Sequence, residues 1–317
     1  MAKTTGPLIS LDAHGSLAKT LNYSSRRSGP QCRKYNKPTG VPSAKQRGQR
    51  RLTEFLVAQW QNMSAADKAT WAENAGASKY NLPAYHYFLR EAQRDLYTHT
   101  GLCGYWHCNE IVGGKVLDLS GNGNHGSLGP SFPSNRPRLT SSENNRLGSA
   151  LLYDGVDEFF HKTSPRNLDL TGDFSLEAII YPTKSGTRQD IISKEKYVSG
   201  GENSGYNLRR TYDNKFAFVV YNDGLNQITS DAKATNKWYH LVGVLRGTTA
   251  YLYINNVAIS TGGFDSPKAN TNPFTVGKAS LISFYRYGGK ADEICAYNRA
   301  LSAAEIATRY NFATTRV

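Results

Sequence analysis

The apolar positions follow three different patterns along the chain, and each pattern predicts a different kind of structure. Residues 1–42 hold few large apolar side chains among many Gly, Ser, Pro, Lys and Arg. Such a stretch cannot bury enough surface to offset its own ordering entropy, and it predicts an extended arm. Residues 43–98 carry helical periodicity. Leu52, Phe55, Leu56, Trp60 and Met63 share one face. Ser64, with Asp67 three residues on, opens a second helix that ends at Gly76, and Asn81-Leu82-Pro83 opens a third. In that third helix Tyr85, Phe88, Leu89, Ala92 and Leu96 line one side.

From residue 99 the period shortens to two. Strand-like runs, among them "CGYWHC", "SALLYD", "FSLEAIIYP", "DIISKE", "GYNLRR", "KFAFVVYN", "WYHLVGVLR", "AYLYINNVAI", "FTVGK" and "ADEICAYN", alternate with Gly/Asn/Asp/Pro turns. The Asn pair of "YINNVAI" predicts a tight hairpin. Many short strands without intervening helices predict an all-β sandwich over 99–317. The sandwich closes on a helix with a capping box of Ser302 and Glu305.

Charge sharpens this division. The chain of 317 residues has a net charge of +13. Residues 1–51 carry eleven Lys/Arg against the single acid Asp12, giving +10; residues 52–98 give −1 and the remainder +4. The basicity therefore belongs to the arm. It suits an acidic neighbour in an assembly, the phosphates of a nucleic acid, or a plain solvated tail. Aromatics in the arm are sparse (Tyr23, Tyr35), so base stacking is unsupported and nucleic acid is not the expected partner. No run of apolar residues is long enough to span a membrane, and the first residues lack the apolar core of a secretory signal.

Candidate chemistry centres on "DLSGNGNHGS", Asp118–Ser127. Its Gly121, Gly123 and Gly126 have dinucleotide-turn spacing, but Pro130, Pro133 and Pro137 follow where a helix would have to begin. Two readings stay open, a plain turn and a calcium loop in which Asp118, Asn122 and Asn124 supply oxygens. Paired carboxylates of the glycosidase kind are not evident. There is no Glu-x-Asp-x-Glu run, Glu177 stands alone, and the consecutive Asp292 and Glu293 fall on opposite faces of a regular strand. His240 reads as an ordinary strand residue. A non-enzymatic protein is therefore expected. The same alternation turns Cys103 and Cys295 outward, where they could lie side by side as free thiols or as a disulfide.

Taken in order, "GLCGYWHCNE", "VLDLSGNGNHGSL", "ALLYDGVDEFF", "DFSLEAIIYP", "KWYHLVGVL", "LYINNVAI" and "GKADEICAYNRALSAAEIATRYN" resemble the laminin-G-like, concanavalin A-like lectin/glucanase superfamily over residues 102–310. The resemblance implies an antiparallel jelly roll and, often, a structural calcium held by the aspartates at positions 118 and 292, Asp118 and Asp292 here. For glycan contacts the loops offer Tyr285, Arg286 and Tyr287, and Tyr206 with Asn203; alternation must send about half of the aromatics into the core. Residues 15–96 resemble a module of tailed-phage and bacterial proteins, marked by a Gly-Ser start, Arg-x-Gly-Pro and the pair Trp60/Trp71. Together these features lead us to expect a virion structural or accessory protein, a capsid decoration or tail component. It would be present in many copies or as a homo-oligomer, anchored to other virion proteins through residues 1–98, and would present a lectin-like sandwich for adhesion. A bacterial surface or secreted glycan-binding protein is the alternative.

Overall fold

A computed structural model of the chain describes the backbone of residues 15–17, 21–26 and 29–34 and scattered helical positions between 53 and 76. It also describes residues 82–89, and residues 100–314 apart from 109–110, 129–135, 142–148, 164, 166, 199–200 and 281–283. The chain divides into two compact units, Met1–Pro42 and Ser43–Val317. Within the first, β1 (Gly15–Leu17), β2 (Leu21–Arg26) and β3 (Gly29–Lys34) form an antiparallel three-stranded sheet. Part of the basic segment thus departs from the extended arm its composition predicts, because the backbone can pair even where few side chains can be buried.

In the second unit, residues 84–89 are helical. Trp60 packs against Tyr85 and Phe88 at ring separations of 5.7 and 5.3 Å, so the two apolar stripes meet where their periodicity placed them.

The sandwich is built from two antiparallel sheets. The nine-stranded sheet runs, in spatial order, β15 (Gly224–Ala232), β14 (Lys215–Asn222), β13 (Ser204–Arg210), β12 (Gln189–Lys196), β19 (Phe274–Val276), β10 (Phe160–Lys162), β7 (Gly126–Leu128), β6 (Lys115–Val116) and β5 (Ile111–Val112). The opposing sheet runs β18 (Val257–Thr261), β17 (Thr249–Ile254), β16 (Tyr239–Arg246), β11 (Phe174–Pro182), β20 (Gly288–Tyr297), β9 (Ser149–Asp154) and β8 (Arg138–Ser141). The first half of β20 pairs with β9, and its second half pairs with β4 (Leu102–Trp106). The predicted hairpin joins β17 to β18, with Asn255 and Asn256 both at positive φ, 51° and 65°, as a two-residue turn of that kind requires.

The inward side chains of both sheets form one core. Trp106 stacks on Phe274 at 4.9 Å and leans on Phe160 at 5.8 Å, while Phe174 meets Tyr206 and Phe218. A second cluster lies on the other side of β16 and β20, where Val242, Val244, Tyr253, Cys295 and Tyr297 are covered by Leu301 and Ile306. Those last two residues belong to the entry and first turns of the C-terminal helix Ala303–Thr314. Its capping box is formed as predicted. The Glu305 N–H donates to Ser302 Oγ at 3.2 Å, and the Ser302 N–H donates to Glu305 Oε2 at 2.7 Å.

Candidate functional site

The outer face of the nine-stranded sheet carries a concentration of charge that simple alternation does not reveal. On β12 the register against β13 slips between Asp190 and Ile192. Ile191 and Ile192 both enter the core, so one residue is extra and the alternation restarts after it. Asp190, Ser193 and Glu195 consequently lie on the same outer side of the strand, where they are buried beneath their neighbours. Both carboxylates converge on one guanidinium. Arg188 holds Asp190 through two bonds, Nε to Oδ1 at 2.9 Å and Nη2 to Oδ2 at 2.8 Å, and Nη2 also reaches Glu195 Oε1 at 2.8 Å. Asn207, opposite Ser193 on β13, donates to Asp190 Oδ2 at 2.7 Å. Arg209 donates to the Tyr221 hydroxyl at 3.2 Å and to Gln227 Oε1 at 2.8 Å, which continues the polar row across β14 to β15. Burial raises the Glu195 carboxyl to about 7; Asp190 adds to that rise, and Arg188 only partly offsets it.

Aromatic rings rim this charged floor. Tyr285, itself at φ 60°, lies flat under Arg188, whose guanidinium carbon is 4.1 Å from the ring centroid. Its carbonyl accepts the Asp190 N–H at 2.8 Å, which fixes the loop to β12. Tyr212 meets Tyr285 edge-on at 6.5 Å, and Tyr197 lies 6.4 Å from Tyr221. Tyr212 and Tyr197 are 60% and 57% exposed, so their ring faces remain open to a ligand. A sugar site needs such an apolar platform beside directed donors and acceptors.

Of the five residues expected to touch glycan, only Tyr285 sits on this charged floor. Tyr206 and Tyr287 are core residues and correct the expectation. The Tyr206 hydroxyl donates to Leu168 O at 2.7 Å, and that of Tyr287 donates to Lys290 O at 2.9 Å. Asn203 pins a turn, accepting the Val198 N–H and donating to Asp223 O. Arg286 points to a different part of the same face, 5.0 Å from the Phe159 ring centroid. Sequence reasoning missed Arg188, Asp190, Glu195, Asn207 and Arg209. The available signal was the adjacent Ile191-Ile192 inside "QDIISKE", two apolar residues in succession where a half-exposed strand should alternate.

The Asp118 loop satisfies its own oxygens. Asp118 is buried, and its carboxylate accepts three backbone N–H groups, from Tyr105 at 3.0 Å, Ser120 at 2.9 Å and Asn124 at 2.7 Å. Asn122 and Asn124 donate their amides to Leu102 O and Cys103 O, and the Trp106 indole donates to Asn124 O at 3.0 Å. Gly121 and Gly123, at φ 88° and 72°, allow the chain to curl tightly enough for this closure. Calcium wants roughly six to eight oxygens, and both carboxylate oxygens of Asp118 already accept backbone N–H groups. Asp292 is buried on β20 and accepts the Glu293 N–H at 2.9 Å. Among the described residues no three His, Cys, Asp or Glu are grouped to hold a metal. As closed here, the loop works as a plug that hydrogen-bonds itself and the core tryptophan.

Other expectations are also corrected by bulges. Cys103 faces the main core, because the β4–β20 register skips it between Leu102 and Gly104. Cys295 belongs to the cluster on the opposite side of the sheet, and both thiols are free and buried. Asp292 and Glu293 sit at a further bulge, between the inward Ala291 and Ile294, with Glu293 at φ 48°; they therefore do not alternate as in a regular strand. Glu177 is not alone. It bonds His240 Nε2 at 2.8 Å and Arg309 of the C-terminal helix at 2.9 Å. Burial pushes its carboxyl up, but Arg309 and His240 outweigh that and hold it below its ordinary value.

Residues 157–307 match the model of a family described as the concanavalin A-like lectin/glucanases superfamily. The sandwich is similar to the domains of that superfamily and has their two-sheet fold. Strands β4 to β9 precede the matched segment and complete both sheets of the domain. Similar solved structures include the binding domain of Paraclostridial Mosquitocidal Protein 1, at 15% identity and TM-score 0.51, with 67% of this chain covering 52% of that one. A mutant of Trypanosoma rangeli sialidase displaying trans-sialidase activity is 14% identical at TM-score 0.52, with 72% of this chain covering 38% of it. The botulinum neurotoxin serotype D ligand binding domain, in complex with N-acetylneuraminic acid, is 15% identical at TM-score 0.50, with 67% covering 50%. The chain spans about half or less of these structures, and at such identities the likeness is one of fold. Comparison with curated proteins gives no match.

Proposed function

We propose that the concanavalin A-like domain is a non-catalytic carbohydrate-recognition module, with the outer face of its nine-stranded sheet as the ligand face. The observation that carries this reading is the Arg188 centre. Two carboxylates, a guanidinium and an amide are locked together against the half-buried Tyr285 and beside the open rings of Tyr212 and Tyr197. Fixed polar groups next to aromatic platforms suit sugar hydroxyls and the apolar face of a pyranose. A single arginine engages both carboxylates, which favours holding a ligand over donating and withdrawing protons. The serotype D domain of the same fold binds N-acetylneuraminic acid, so sugars are the ligand class to screen first. A glycan array probed with the full chain tests the reading. Binding to a defined set of oligosaccharides is expected, and absence of binding by folded protein would leave the domain a structural wall.

The module belongs, in our reading, to a virion structural or accessory protein, whose basic N-terminal segment and helices attach it to other particle proteins in many copies. The +10 charge of residues 1–51 supports an electrostatic anchor on an acidic neighbour. Among the described residues no helix is long and apolar enough to cross a membrane. Deleting residues 1–42 should abolish incorporation into particles while the domain still folds. Normal incorporation would refute the anchor. Salt-sensitive binding of the intact chain to duplex DNA, lost on deletion, would assign the charge to nucleic acid instead.

A further inference from the structure

One group of cations on the ligand face has no role in the Arg188 centre. Phe159 and His161 flank the inward Phe160 and so share the outer side of β10, with their rings 5.6 Å apart. Two cations lie over the Phe159 ring, Lys278 Nζ at 4.5 Å and the Arg286 guanidinium carbon at 5.0 Å from its centroid. They come from the two ends of one excursion, closed where the Tyr287 N–H donates to Gly277 O at 2.9 Å. The register places His161 opposite Ser127 on one side and Thr275 on the other, and the Thr275 hydroxyl, within reach of Lys278 O at 2.8 Å, ties the start of the excursion to the sheet.

Lys278 and Arg286 place two like charges against one ring. Burial lowers the pKa of Lys278, and the Arg286 charge lowers it further. Burial also lowers that of His161, with Lys278 adding to the effect. Arg286 is lowered by burial, although Asp157 and Asp154 act against this. Like charges held this close disfavour each other's charged form and make the spot attractive to an anion. An anion placed beside them would take charge-assisted hydrogen bonds from groups already in position.

We propose that Lys278, Arg286 and His161 form an anion subsite that takes the carboxylate or sulfate ester of an acidic glycan. The proposal rests on the glycan reading of this face and deepens it. Only β19 lies between β10 and β12, so the subsite and the Arg188 centre are about two strand spacings, roughly 10 Å, apart. One short oligosaccharide spans that distance, with a ring on Tyr285 and its acidic group at Lys278.

The test uses the full chain, wild type and Lys278→Gln, with matched melting curves to confirm folding. Three oligosaccharides of one backbone are titrated: neutral, uronic acid-bearing and sulfated. Inorganic sulfate is titrated separately by thermal shift. The acidic forms should bind about tenfold more tightly than the neutral one, and Lys278→Gln should erase that preference while leaving neutral binding unchanged. Whichever acidic form shows the preference identifies the source of the charge. Equal binding of all three, or an undiminished preference in Lys278→Gln, overturns the subsite and leaves the glycan face standing. If no oligosaccharide binds but sulfate raises the melting temperature of wild type and not of the variant, the subsite holds and the glycan reading falls. If neither sugar nor sulfate has any effect, both fall.

Discussion

Asp190 and Glu195 emerge on the same face of β12 although five positions separate them, and a single Arg188 Nη2 lies 2.8 Å from an oxygen of each. In a regular strand an odd separation puts two residues on opposite faces. The bulge at Ile191 reverses the parity for the rest of the strand, and so creates the charged floor of the ligand face.

The pair makes stability depend on pH. Glu195 is raised in the folded state to about 7, so between about pH 4.5 and 7 the folded chain keeps a proton that the unfolded chain releases. Its contribution is therefore present at low pH and is lost as pH rises through that window. Glu195→Gln should raise the melting temperature more at pH 8 than at pH 5. Glu158, also raised to about 7 by burial, keeps part of the fall in the variant. Equal shifts at both pH values would show that Glu195 titrates normally.

The Asp118 loop should be indifferent to calcium. Melting curves in calcium and in chelator are expected to coincide, whereas Asp118→Ala should destabilise by about 1–3 kcal/mol. The variant leaves three backbone N–H groups without their acceptor around the core Trp106. A calcium-dependent rise in wild type that disappears in the variant would restore the metal loop.

The buried thiols should be silent. Cys103, Cys108 and Cys295 all lie in the interior, and burial raises the pKa of each. A thiol reagent followed by peptide mapping should label them only after denaturation. A Cys103–Cys295 cross-linked peptide would contradict their placement on opposite sides of the sheet.

Much of the fold was legible because it depends on local chemistry. The Asn255-Asn256 turn, the Ser302/Glu305 box and the meeting of Trp60 with Phe88 each arise from residues close in sequence or from one clear period. The candidate site was less legible because it depends on bulges. An extra residue in β4, β12 or β20 carries no composition of its own, yet each reverses the facing of the residues beyond it, which is how Cys103 turned inward and Asp190 joined Glu195. Tyrosine added to the difficulty. Tyr206 and Tyr287 bury their rings and satisfy their hydroxyls on backbone carbonyls, while Tyr285 lies at the surface, and the residue type alone does not separate the two uses.

The ligand face is tested most directly by titrating the strongest oligosaccharide from the array into wild type and Tyr285→Ala, and recovering the sugar afterwards. Tyr285 supplies the ring beside Arg188 and little of the core, so the variant should fold normally and bind about tenfold more weakly, with the oligosaccharide recovered intact. Unchanged affinity in Tyr285→Ala would place the ligand elsewhere on the domain, and cleaved sugar would show that the face is catalytic.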